Sequence, residues 1–432
     1  MNKKILQIAI PSIVSNITVP LLSLVDVAIV GHLGATSYMG AIAVGGMLFN
    51  MIYWLFAFLR MGTSGMTSQA YGRRDLQAVL LVWERALLIG VGIALLMIAC
   101  QELILQGAFY WIETTDEIKA DASRYFHICV WGAPAVLGLY ALSGWFIGMQ
   151  NTRLPMLIAI LQNIVNIVSS LCFVMCFHMK VEGVALGTLI AQYAGFLIAL
   201  ALWGRYYRRL LPYQKGAAIW QPDAMRQFFS INRDIFLRTL CLVSVTTFFT
   251  TAGARQGEVI LAVNTLLMQL FTLYSYVMDG FAFAGEALGG RYIGARNQTG
   301  LRRCVKALFG WGFGMATGFT LLYALGGEAF LGLLTNDQEV LIASLDYAPW
   351  AMAIPLCGFA AFIWDSFFIG ATATHWMFRA MLIASGSFFL LHFGLQSAWG
   401  NHALWFAFLC YLAMRGIVQT WAWNGPLRKR IL

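Results

Sequence analysis

The chain has 432 residues, of which 60% are hydrophobic and only 11% are charged, less than half of the roughly 25% that ordinary soluble domains carry. This composition excludes a soluble globular protein and indicates an all-α integral membrane protein. The net charge of +9 does not indicate nucleic-acid binding, because the basic residues are scattered over short loops between apolar runs.

Apolar runs of about 20 residues or more follow one another along the whole chain, and each could cross a hydrocarbon core of about 30 Å. The first run contains Pro11 and Pro20 and lacks a small-residue cleavage site, so we expect a first span and not a cleaved signal peptide. Twelve spans are predicted, near residues 5–31, 40–68, 78–100, 122–148, 152–177, 181–204, 228–252, 258–287, 306–332, 345–370, 376–398 and 402–423.

The first span carries an acid, Asp26, and no Lys or Arg lies between Lys4 and Arg60. At a rise of 1.5 Å per residue, a position about 21 residues into the span lies in the outer half of the bilayer. A charge that faces lipid is costly, so we expect Asp26 to face the protein interior or a wet cavity. It is either a structural acid that is hydrogen-bonded to neighbouring helices, or part of a site for a coupling ion or a substrate.

Span 5 carries a polar stripe on an otherwise apolar helix. Asn163, Asn166 and Ser170 have the i, i+3, i+7 spacing that places them on one face, and span 6 offers Thr188. Such groups need partners inside the protein when they lie within a membrane. Two interpretations are open, namely ordinary hydrogen bonds between helices and a polar site shared with Asp26.

The second half carries its own charges at about the inner half of the bilayer, and these are Asp234 and Arg238 in span 7, Asp279 and Glu286 in span 8, and Asp365 in span 10. Asp234 and Arg238 are one helical turn apart, so an ion pair between them is one expectation. The group forms either a structural ion network or a latch for coupling or gating, with Arg60 or Arg238 as its basic partner.

The two halves resemble each other. Phe146-Ile147-Gly148 recurs as Phe368-Ile369-Gly370, 222 residues later, and the chain divides at its longest polar break. We predict an N-terminal six-helix lobe at 1–204, a cytoplasmic linker at 205–226 and a C-terminal six-helix lobe at 227–432. Since each half has an even number of spans, both halves enter the membrane from the same side, and the pseudo-twofold axis that relates them runs along the membrane normal.

The distribution of basic residues predicts the orientation. With the N-terminus in the cytoplasm, most Lys and Arg lie in inner loops, which is the arrangement that membrane insertion favours. The outer loops then hold only Lys119, Arg124, Lys180 and Arg255. Both termini are therefore expected in the cytoplasm.

Several stretches resemble the multidrug and toxic compound extrusion (MATE) transporters, and in particular their DinF-type branch. They include "AIPSIVSNITVPLLSLVDVAIVGHLG" (9–34), "FLRMGTSGMTSQAYGRRD" (58–75), "NIVNIVSSLCFVM" (163–175), "NRDIFLRTL" (232–240), "MDGFAFAGEALGGRYIGARN" (278–297), "WDSFFIGATAT" (364–374) and "GNHALW" (400–405). The resemblance covers essentially the whole chain.

This resemblance implies two six-helix lobes beside a central cleft, and export of amphipathic or cationic drug-like compounds in exchange for H⁺ or Na⁺. It implies that Asp26, Asn166 and Thr188 belong to a polar site of the N-terminal lobe, and that the first helix bends at Pro11. We expect a monomer in the lipid of the bacterial cytoplasmic (inner) membrane.

The stretch that begins at Asn166 departs from the family pattern. Relatives read N-I-x-L-D where this chain reads Asn166-Ile167-Val168-Ser169-Ser170, so the second acid of the site is absent. A desolvated cation prefers several oxygens with compensating negative charge. The sequence therefore favours H⁺ over Na⁺ as the coupling ion.

No enzyme, cofactor or metal site is predicted. The chain has no G-x-x-x-x-G-K-[ST] loop for a nucleotide, and its six His show no metal-ligand spacing. The alternative function is a lipid-linked saccharide flippase of related fold, but such proteins tend to have extra spans and a basic cleft for pyrophosphate.

Overall fold

The structure is a computed structural model that describes residues 1–31, 36–112, 114–214 and 218–427, without the side chains of residues 19, 22–24, 26, 27, 30, 31, 36 and 328. Within these ranges the regular structure is helical. Its α-helices are α1 Asn2–Gly31, α2 Thr36–Leu55, α3 Phe58–Gly72, α4 Leu76–Ala99, α5 Gln101–Trp111, α6 Asp116–Cys129, α7 Ala133–Gly148, α8 Arg153–Leu171, α9 Val181–Tyr207, α10 Pro222–Ala254, α11 Glu258–Gly294, α12 Gln298–Leu334, α13 Gln338–Gly370, α14 Thr374–Trp399 and α15 Asn401–Ala422.

The predicted all-α membrane fold is confirmed. In the described part of the chain, eleven helical segments are long and apolar enough to cross a membrane, and they coincide with predicted spans 2 to 12. Helix α1, whose side chains are only partly described, corresponds to the first predicted span. The twelve predicted spans therefore each have a helix.

Three details of the helices differ from the predicted spans. The second span is interrupted at Phe56 and Ala57, which separate α2 from α3. The fourth is built from α6 and α7, joined by a short 3₁₀ turn at Val130–Gly132. Helix α5 was not predicted, and it ends in the exposed aromatic residues Tyr110 and Trp111. Exposed Tyr and Trp are typical of a helix at the membrane–water interface.

The chain forms two compact units. The N-terminal unit comprises Val14–Phe228, and the C-terminal unit comprises Phe229–Leu432 together with Met1–Ile13. The sequence assigns the first thirteen residues to the N-terminal lobe, whereas they group here with the C-terminal helices. Helix α1 thus passes from one unit to the other just after the buried Pro11. Within the predicted linker, α9 continues to Tyr207 and a 3₁₀ turn follows at Arg208–Tyr213.

The internal repeat is present in the backbone of each unit. Residues other than glycine rarely adopt positive φ, yet Arg74 and Arg296 do so with φ of 61° and 53°. Gln150 and Thr372 also do so, with φ of 64° and 51°. Each pair is separated by 222 residues, the offset at which the sequence halves match. Each half therefore ends the corresponding helices with the same turn.

Each of the two units contains an equivalent close crossing of two of its own helices. A Cβ atom at Gly148 of α7 would lie 2.8 Å from the carbonyl oxygen of Ser64 on α3. A Cβ atom at Gly370 of α13 would likewise lie 2.8 Å from the carbonyl oxygen of Glu286 on α11. Only glycine allows backbones to approach this closely, as is common between membrane helices.

Candidate functional site

The polar stripe of α8 faces α9 in the N-terminal unit. The Asn166 amide nitrogen donates to the Thr188 hydroxyl over 3.3 Å, and the Ser170 hydroxyl donates to the Asn166 amide oxygen over 3.4 Å. Asn166 and Ser170 are both buried. Helix α9 approaches closely at Gly187, where a Cβ atom would collide with the Ser170 hydroxyl oxygen. The structure therefore brings together Asn166, Ser170 and Thr188, three of the four polar residues that the sequence grouped on spans 5 and 6.

The same stripe reaches helix α1. The Asn163 amide nitrogen donates to the backbone carbonyl of Thr18 over 3.2 Å. The Thr18 hydroxyl in turn donates to the carbonyl of Ser15 over 2.7 Å. Residues of α1, α8 and α9 are thus joined by polar contacts inside one unit, where each buried polar group needs a partner.

Asp26 lies on α1, two helical turns beyond Thr18, and its side chain lies outside the described residues. Gln192, one turn beyond Thr188 on α9, lies against Gly132. Its buried amide oxygen has no hydrogen-bond partner among the described residues. This oxygen is a further acceptor on the helix that carries Thr188.

A cluster of charges surrounds Asp365 in the C-terminal unit. Its carboxylate accepts hydrogen bonds from Arg238 of α10, from Arg415 of α15 over 2.6 Å, and from Gln419 one turn further along α15. The side chains of Asp365 and Arg415 are only 10% and 4% exposed. The acid therefore joins three helices through charge-assisted hydrogen bonds, which are stronger than neutral ones.

The expected pairing of Asp234 with Arg238 is wrong. Arg238 pairs with Asp365, whereas Asp234 pairs with its neighbour Arg233 at 3.0 Å and accepts from the Thr374 hydroxyl at 3.3 Å. Helical spacing allowed the local pair, but the crossing of α10 with α13 places the Arg238 guanidinium against the Asp365 carboxylate. Asp234, which is equally buried, has Arg233 and Thr374 as its partners.

The remaining predicted charges are placed as follows. Asp279 is half-buried and Glu286 is buried, both on α11. Arg60 is half-buried on α3 in the N-terminal unit, where its backbone carbonyl lies against Gly144 of α7. Arg60 and the C-terminal acids belong to different compact units.

Besides Arg415 and Gln419 of the Asp365 cluster, sequence reasoning missed two further buried polar groups. Arg85 of α4 is buried and donates to the backbone carbonyls of Ala218 and Ile219 over 2.7 Å each, which ties the segment between the halves to α4. Asn264 and Asn401 exchange two hydrogen bonds of 2.8 and 2.9 Å between α11 and α15. For Arg85 and Asn264 the available signal was a polar residue inside an apolar run, whereas Asn401 lies between the predicted spans 11 and 12.

Comparison with known proteins gives consistent results. The MatE family profile matches residues 11–172 and 235–393. DNA damage-inducible protein F of Escherichia coli (strain K12) is 37% identical over 429 residues, covering 99% of this chain and 93% of that protein. A probable multidrug resistance protein NorM of Rhizobium meliloti (strain 1021) is 24% identical over 442 residues, covering 98% and 93%. A crystal structure of a mutant of the Vibrio cholerae MATE transporter VcmN matches with a TM-score of 0.85 at 18% identity, covering 99% and 97% of the two chains, which is a likeness of fold.

Proposed function

Because this chain belongs to the MatE family, the multidrug and toxic compound extrusion transporters, we propose that it exports amphipathic or cationic drug-like compounds in exchange for H⁺. It does so by alternating access, with its binding site open first to one side of the membrane and then to the other. Its location is the cytoplasmic membrane of a bacterium, with both termini inside. The observation that carries this proposal is the buried polar group on α8 and α9 that contacts α1.

The depth of the polar group supports a site shared with Asp26. Spans 1 and 5 run in the same direction through the membrane, and Asn163 contacts Thr18. Ser170 lies seven residues beyond Asn163, so at 1.5 Å per residue it reaches about the level of residue 25. Asp26 is then at the same depth as these hydroxyl and amide groups. They can form hydrogen bonds with its carboxyl in either the protonated or the ionised form.

The chemistry of the group supports H⁺ over Na⁺. Asn166, Ser170 and Thr188 offer neutral oxygens, and a bare Na⁺ would have Asp26 as its one negative partner there. A desolvated Na⁺ prefers several oxygens with compensating negative charge, and relatives carry a second acid where this chain has Ser170. One carboxyl can hold either a proton or the exported cation, so proton binding at Asp26 is a usable switch. Protonation from outside releases the exported cation, and loss of the proton to the cytoplasm resets the site.

We assign a different role to the cluster around Asp365. Two guanidinium groups and an amide surround this carboxylate, which suits a fixed anion that holds α10, α13 and α15 together. Together with Asp234 and Asp279, it forms an inner latch that keeps the cytoplasmic side closed. Loss of a single acid then loosens closure as well as folding.

The test is transport in proteoliposomes with separately imposed gradients. A pH gradient alone should drive movement of a fluorescent cationic dye by the wild type, and a Na⁺ gradient should have no effect. Asp26→Asn should abolish this movement, whereas the matched control Asp116→Asn, an exposed acid at the start of α6, should retain it.

A second variant tests the choice of ion. Ser170→Asp restores the acid that relatives carry, and it should introduce dependence on Na⁺. Full transport by Asp26→Asn, or strict Na⁺ dependence of the wild type, would contradict the proposed coupling. Each variant is first checked for folding by size-exclusion chromatography.

A further inference from the structure

A groove of about 690 Å³ lies on the C-terminal unit, between the first residues of the chain and the first half of α12. Asn2, Arg303 and Lys306 line one end of it, and the other end is lined by Gly310, Trp311 and Gly314. The groove thus has a basic end and an apolar end.

The groove follows one face of α12. Arg303, Lys306, Gly310 and Gly314 are spaced by three or four residues, which places them in one row along a helix. At 1.5 Å per residue, the row from Arg303 to Gly314 is about 16 Å long. A Cβ atom at Gly310 or at Gly314 would meet nothing within 4 Å, so no neighbouring side chain fills the space above the two glycines. The apolar end is an open trough.

The basic end has uncompensated charge. Arg303 and Lys306 are exposed, and neither takes part in the ion pairs formed by residues that the structure describes. Arg302, the preceding residue, is also exposed but does not line the groove. Basic residues at the end of a membrane helix attract anionic lipid headgroups. In the proposed orientation this end of α12 lies at the cytoplasmic leaflet.

We propose that the groove binds an anionic glycerophospholipid, with its headgroup phosphate between Arg303 and Lys306 and an acyl chain along Gly310 and Gly314. Trp311 forms the wall, and its ring is fixed by stacking on Phe281 with 5.7 Å between ring centroids. Charge complementarity selects an anionic ligand. The apolar trough that continues from the basic end selects a lipid over a free phosphate ion, which would leave the trough unused.

The test is lipid binding by the delipidated full-length protein in detergent, followed by native mass spectrometry. Phosphatidylglycerol should bind at least about tenfold more tightly than phosphatidylcholine of the same chain length. Each basic residue near the headgroup is expected to raise the affinity for an anionic lipid roughly fivefold. Arg303→Gln should weaken phosphatidylglycerol binding by roughly that single factor of five. The matched control is Arg302→Gln, an exposed neighbour that does not line the groove, and it should bind like the wild type.

A second pair of variants tests the acyl-chain part without changing any charge. Gly314→Leu fills the trough and should weaken phosphatidylglycerol binding, whereas Gly386→Leu, at an equally open position on α14 outside the groove, should not. Equal effects within either pair of variants would overturn the proposal, as would equal affinity for the two lipids. Inorganic phosphate that competes as well as phosphatidylglycerol would instead assign the groove to a small anion. None of these results depends on transport, so they are independent of the proposed exchange with H⁺.

Discussion

Replacing Asp365 by Asn removes the negative charge that Arg238 and Arg415 share. The side chain of Arg238 is 11% exposed and that of Arg415 is 4% exposed, so water can do little to solvate either cation after the change. Removal of one partner from a buried ion pair typically costs about 3–5 kcal/mol. For a protein of this length, such a loss corresponds to a fall in the midpoint of thermal unfolding of roughly 3–6 °C.

The assay is loss of the monodisperse peak in size-exclusion chromatography after heating in detergent. Because unfolding of a membrane protein in detergent is seldom reversible, all variants are compared at one heating rate. The control is Glu182→Gln at the start of α9, because Glu182 pairs with Arg124 at 3.5 Å and their side chains are 34% and 63% exposed. An exposed ion pair contributes about 0–1 kcal/mol, so the control should shift the midpoint by less than roughly 2 °C. Equal midpoints for Asp365→Asn and the wild type would refute the reasoning.

Two further predictions concern packing and the segment between the halves. Gly370→Ala should destabilise the protein by about 1–3 kcal/mol, because its Cβ atom would lie 2.8 Å from the Glu286 carbonyl oxygen. Gly92→Ala, at an open position of α4, should lose no stability, and equal unfolding midpoints for the two variants would argue against the close crossing. Arg85→Met should remove two hydrogen bonds of 2.7 Å to the 218–219 backbone, with faster hydrogen exchange there by mass spectrometry. Unchanged exchange would show that Arg85 does not hold this segment.

The sequence predicted the number of membrane helices and the repeat because both depend on signals within the chain. A hydrocarbon core sets the length of each apolar run, and the offset of 222 residues is visible directly as repeated tripeptides. The ends of the helices were harder to predict from the sequence. Helix α11 continues to Gly294, seven residues past the predicted end of span 8. Hydropathy marks the part of a helix in lipid, and a helix readily continues into water.

The break between α2 and α3 could not be predicted. It falls at Phe56 and Ala57, where the sequence has neither Gly nor Pro, the usual causes of a helix interruption. Tertiary packing must therefore determine its position. Arg60, the charge in this span, follows one turn later.

The partners within the charge cluster of the C-terminal unit could not be predicted from the sequence either. Local spacing favoured a pair of Asp234 with Arg238, but the partner of Arg238 is Asp365, which lies 127 residues further along the chain. Arg415 lies in the middle of span 12, and a basic residue there indicates an acidic partner inside the protein. Which acid it meets depends on how helices cross, and spacing along one helix contains no such information.

The central claim is that Asp26 exchanges a proton for the exported cation. The most direct test is proton release by the purified protein in weakly buffered detergent, followed with a pH indicator while a cationic substrate is added. Binding and protonation at one carboxyl are reciprocally linked, so the wild type should release protons as substrate binds, most strongly where Asp26 is protonated beforehand. Asp26→Asn should release none, whereas the control Asp116→Asn should release as much as the wild type. Equal proton release by Asp26→Asn and the wild type would contradict the account.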